Sequence, residues 1–112
     1  MTREEQAKAF TQLHEHLQSL IGKQLQIAEF ITDREYDRHG TSSIYFTLTV
    51  KEINWRFSGF RLRIEGNNEE LYEISPSISE LKIEADTIEV VETLGISTIN
   101  TPLKRKTSIK II

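Results

Sequence analysis

At 112 residues, 38% of them hydrophobic, the chain is long enough for one core and too apolar to be intrinsically disordered. It has no Cys, which excludes disulfides, thiolate chemistry and Cys-ligated zinc, and no apolar run approaches the roughly 18 residues needed to cross a bilayer. The net charge is −3 and unevenly placed: all 17 acids lie in residues 1–92, whereas Lys104, Arg105, Lys106 and Lys110 make residues 93–112 purely basic.

The N-terminus lacks the basic head and apolar stretch of a signal peptide, so a cytoplasmic location is expected. Thr2-Arg3-Glu4-Glu5 has the form of a capping box. Phe10, Leu13, Leu17, Leu20 and Ile21 then recur at spacings of three and four, and Gly22 stands where helices commonly exit left-handed. The spacing predicts a helix over about residues 2–21, with one apolar stripe suited to a sheet face. His14 borders the stripe and reads as a boundary residue; His16 is two positions away, a spacing that does not let a helix chelate one metal.

Residues 23–33 read as a strand with Leu25, Ile27 and Ile31 on one face and Ala28 and Phe30 on the other. Residues 33–40 alternate in charge and close on Gly40, the pattern of a solvated hairpin loop. A calcium loop counted from Asp33 fails, because Arg38 and Ile44 stand where Gly and Glu are required.

Residues 43–65 hold the only Trp and the densest apolar alternation. Ile44, Phe46, Leu48 and Val50 keep one phase, Ile53, Trp55 and Phe57 the other, and Phe60, Leu62 and Ile64 return to the first. The first change, at residues 51–54, is read as a hairpin turn; the second, at Ser58-Gly59, as a bend within the second strand. Ile44, Phe46, Leu48, Val50, Phe60, Leu62 and Ile64 are expected to bury against the helix stripe.

Residues 66–69, Gly-Asn-Asn-Glu, signal a turn leading into a strand at residues 71–74 that pairs with residues 60–65. Pro76 interrupts the ladder because it has no N–H to donate. Residues 79–84 and 87–92 read as two further short strands around Ala85-Asp86, or as one longer strand with a kink, since the phase change from Ile83 to Ile88 permits either; residues 96–102 read as loop. The apolar end, Ile109, Ile111 and Ile112, predicts a C-terminal strand that pairs with a sheet edge or with a second copy of the chain.

These elements specify a single α+β domain: an N-terminal helix packed on a strongly bent antiparallel sheet of five or six strands, as a small partly closed barrel or in a cystatin-like arrangement. No phosphate loop, nucleophile elbow, zinc-protease motif or dinucleotide fingerprint occurs, so no enzymatic activity, cofactor or metal is expected. The leading expectation is a protein-binding module that occupies a partner's surface through Glu65, Glu69, Glu70 and Glu73. In general character, a small acidic Cys-free domain resembles the stoichiometric inhibitors of mobile elements and the toxin-immunity proteins. That resemblance implies a nucleic-acid-processing enzyme as partner, met through carboxylates, and no membrane. The alternative is a single-stranded nucleic-acid-binding barrel of Sm or OB type, using Arg56, Arg61, Arg63, Lys104, Arg105 and Lys106 beside Tyr45, Trp55 or Phe57.

Overall fold

A computed structural model describes residues 1–32, 42–56, 61–96 and 102–112. The capping box forms: Glu5 N donates to Thr2 Oγ1 and Thr2 N to Glu5 Oε1, each at 3.1 Å. The Thr2 backbone and hydroxyl bonds hold the Glu5 carboxyl below its ordinary value. The helix that follows, α1 (Arg3–Gln18), buries Ala9, Phe10, Leu13 and Leu17. It ends one turn earlier than the spacing predicts. Leu20 still reaches the core, but Ile21 is exposed, and Gly22 (φ +89°) turns the chain directly into the sheet.

Among the described residues seven strands follow: β1 (Gln24–Thr32), β2 (Ser42–Arg56), β3 (Arg61–Gly66), β4 (Leu71–Ile74), β5 (Ile78–Ile83), β6 (Thr87–Ile96) and β7 (Pro102–Ile111). Their spatial order is β4-β3-β2-β1-β7-β6-β5, every neighbour is antiparallel, and the sheet stays open. The count exceeds the expected five or six because the C-terminal strand, β7, enters the sheet between β1 and β6.

The expected turn at residues 51–54 is instead a β-bulge. β2 pairs with β1 as far as Thr49, slips register between Val50 and Glu52, and then pairs with β3. Lys51 and Glu52 both point outward, so the inward phase passes from Leu48 and Val50 to Ile53 without ending the strand. The bulge is held from the side, with Gly22 N donating to Val50 O at 2.8 Å and Val50 N to Lys23 O at 2.9 Å. Because β2 bends here, it belongs to two layers. Its first half joins β1, β7, β6 and β5; its second half joins β3 and β4, which fold back over the first layer beside α1.

The core between the layers is one cluster of Leu, Ile and Val from both, sealed by Phe10, Leu13 and Leu17 of α1. Each such side chain contributes roughly 1.5–3 kcal/mol on burial. Leu48, Val50, Leu62 and Ile64 bury as expected and Phe46 packs partly, but Ile44 is 45% exposed. The expected C-terminal strand forms and pairs within the sheet, as an interior strand instead of an edge. β7 pairs with β1 on one side and β6 on the other, so it is central and offers no free edge to another copy. The loop at residues 33–40, the bend at Ser58-Gly59, Phe57, Phe60 and most of the 96–102 loop lie outside the described residues. No helix among the described residues is long and apolar enough to cross a membrane.

At one end of the core, polar groups replace the aliphatic ones. Glu92, fully buried on β6, receives Arg105 from β7 through Nε at 3.0 Å and Nη2 at 2.8 Å, and Ser75 through N at 2.9 Å and Oγ at 2.8 Å. Arg105 Nη2 also donates to Glu73 O at 2.7 Å, and Glu29 of β1 lies 3.8 Å from Nη1. Burial pulls the Arg105 guanidinium down, but Glu92, Tyr72 and Glu29 together outweigh it and hold the group charged. Tyr72 of β4 shares a 2.5 Å hydrogen bond with Thr107 of β7, and the guanidinium sits 5.4 Å from its ring centre.

Burial raises the Tyr72 phenol above its ordinary value near 10; Thr107 and Arg105 oppose the shift and Glu29 adds to it. The unfolded chain therefore releases this proton at lower pH than the folded one, and stability present below pH 10 falls as pH rises beyond it. Melting temperatures measured from pH 8 to 11 should drop more steeply in the parent than in Tyr72→Phe. Parallel curves would contradict the assignment.

Candidate functional site

The hairpin joining β3 to β4 turns through residues 67–70, closed by Gly66 N donating to Glu70 O at 2.9 Å and anchored by Asn67 N on Thr49 O at 3.1 Å. The positive φ predicted for Gly or Asn falls instead on Glu69, at 67°. A β-carbon in the left-handed region costs roughly 1–2 kcal/mol, so the position would favour Gly or Asn over a long carboxylate. Such strain, where it is observed, points to a role for the side chain it displays.

Glu70 folds back, its Oε1 accepting from Asn68 N at 2.7 Å. Gly66 makes room for it, since a β-carbon there would stand 2.5 Å from Glu70 Oε1 and 3.0 Å from Leu48 Cβ. Glu65 accepts from Asn54 Nδ2 and lies 3.7 Å from Arg63 Nη2. Directly across from it, the bulge places Glu52, so two carboxylates face each other on neighbouring strands. Together Glu52, Glu65, Glu69 and Glu70 line an open cleft of about 280 Å³ with Lys51 and Leu71. Leu71, opposite Glu65 on β4, is 43% exposed.

Three of the four carboxylates singled out in the sequence thus converge. Glu73 does not: it stands one row away, opposite Arg63. Glu52 and Leu71 join the site without having been singled out. Glu52 becomes visible only once residues 51–54 are known to be a bulge, because a turn would have sent it elsewhere.

The basic set divides among three places. Arg61 is exposed and Arg63 half-buried on the outer face of the second layer, where the Arg56 backbone pairs with Arg61. Arg105 points into the core, whereas Lys104 and Lys106 point out of the opposite layer, Lys106 3.9 Å from Glu89. Trp55 packs edge-on against Phe10, ring centres 4.6 Å apart, and borders a mainly apolar groove with His14 and Pro76. Among the described residues, no three His, Cys, Asp or Glu side chains are placed to hold a metal ion.

Comparison with protein-family models, curated proteins and solved structures finds no match to this chain.

Replacing Glu69 with Gly should relieve the backbone and stabilise the protein by about 1 kcal/mol. In urea this appears as a higher midpoint at unchanged slope. An unchanged or lower midpoint would show that Glu69 is held by bonds rather than strained.

Proposed function

We propose that this protein is a non-enzymatic binding module whose acidic β3–β4 hairpin occupies a basic surface on a partner protein, in the manner of a stoichiometric inhibitor. The observation that carries the reading is the gathering of Glu52, Glu65, Glu69 and Glu70 around one open cleft with an exposed leucine among them. Carboxylates at a rim steer a basic partner and set orientation, while a single apolar side chain supplies contact area once water leaves. A surface meant only for solubility gains nothing from Glu69 in a strained conformation.

The partner chemistry that fits is a positively charged channel, as in nucleic-acid-processing enzymes. A carboxylate row on a protruding hairpin can take the place of successive phosphates there. Arg63 and Asn54, beside Glu65, keep part of the row in a fixed arrangement.

The test is affinity capture against a panel of nucleic-acid-processing enzymes from the same cell. The parent should capture a partner with an association rate that falls steeply as salt is raised. Combined Glu52→Lys, Glu69→Lys and Glu70→Lys, with helix and sheet content unchanged by circular dichroism, should reduce capture by at least about tenfold, which is 1.4 kcal/mol. Capture indifferent to both salt and charge reversal would overturn the proposal.

A further inference from the structure

One broad surface is left open by the fold. α1 and the β3–β4 layer both pack on the inner face of the five-strand layer, so its outer face has no covering element among the described residues. On β1, the first half of β2 and β7, the outward positions carry three lysines and no carboxylate.

Lys104, Lys106 and Lys110 are exposed and share this face of β7; Lys104 and Lys106 stand one alternate position apart, a step of about 6.8 Å, and Lys110 two steps beyond Lys106, past Ser108. That step suits the separation of phosphates along an extended single strand. Phe30 of β1 lies directly across from Lys106. Tyr45 of β2 is 66% exposed, faces the small Ala28, and is fixed by a hydrogen bond from Gln26 Nε2 to its hydroxyl. Among the described residues, the acid that meets these lysines is Glu89 of β6, 3.9 Å from Lys106 with both side chains about half exposed. A pair so solvated contributes little and yields readily to a phosphate.

We infer that this face binds single-stranded nucleic acid, Tyr45 stacking on a base while Lys104, Lys106 and Lys110 follow the backbone. The combination is what single-strand binders use: an aromatic ring on an open sheet face, with cations beside it. A duplex offers no unstacked base to Tyr45, and an anionic membrane would use the lysines alone. The face is separate from the acidic hairpin, so either surface can fail its test without the other.

The experiment is fluorescence anisotropy with labelled twelve-nucleotide oligo-dT and oligo-U. At 50 mM salt the parent should bind with a Kd of about 10 μM or tighter, in the range of non-specific nucleic-acid contacts. Tyr45→Ala should weaken binding about tenfold and Tyr45→Phe should not. Lys104→Gln, Lys106→Gln and Lys110→Gln together should lower the slope of log K against log salt by about two. Arg61→Ala, on the other layer, should leave the Kd unchanged. All these side chains are on the surface, and circular dichroism confirms that each variant folds.

Four results would overturn the inference: no anisotropy change at 50 mM salt; equal affinity for a twelve-base-pair duplex; affinity indifferent to Tyr45→Ala; or binding to phosphatidylserine vesicles in place of the oligonucleotides.

Discussion

The arrangement of the two layers depends on the buried polar cluster built on Glu92 and Arg105. The pair itself joins β6 to β7 within the five-strand layer, and its bonds to Ser75 and to the Glu73 carbonyl tie the end of β4 to that layer. A carboxylate with no solvent exposure meets a guanidinium through three hydrogen bonds, and the same two groups reach Ser75 and the Glu73 carbonyl at the end of β4. Apolar packing would draw the β3–β4 layer onto the larger one in many orientations. A buried charge tolerates very few, because any carboxylate oxygen left without a donor carries its full desolvation cost. Tyr72 and Thr107 add a second fixed point between the same layers. The three-residue link through Pro76 then brings the chain from β4 to β5 under the same carboxylate.

The second constraint is the bulge in β2. It turns one long strand into a member of both layers and places Glu52 across from Glu65. The acidic cleft therefore follows from the same residue that folds the sheet over. With the hairpin held by the bulge at one end and by the ion pair at the other, its carboxylates are presented on a supported element. The lysines of β7 leave from the opposite face of the same core. The chain's uneven charge is thus resolved into two surfaces, with Arg105 withdrawn between them to serve structure.

Local signals in the sequence correspond closely to the structure. Thr2 and Glu5 mark the helix start, Gly22 a left-handed turn into the sheet although the helix itself stops at Gln18, residues 66–69 a turn, and Pro76 a break in the ladder, because each depends on neighbours within a few residues. The acidic turn was legible for the same reason. What the pattern could not separate was a turn from a bulge, since both change the phase of alternation by one residue. That ambiguity hid Glu52. Nor did residues 105–111 read as a central strand. Arg105 and Thr107 interrupt the apolar alternation, and a buried arginine looks like an exposed one until Glu92, 13 positions away, is seen beside it.

A double-mutant cycle on Glu92 and Arg105, followed by urea unfolding, tests the central claim most directly. Glu92→Leu and Arg105→Met should each cost about 3–5 kcal/mol by leaving a buried charge alone, while the double variant should cost clearly less than the two together. Single losses below about 1 kcal/mol that simply add would be the behaviour of a solvated surface pair, and would contradict the claim that this buried pair is the anchor for the end of β4.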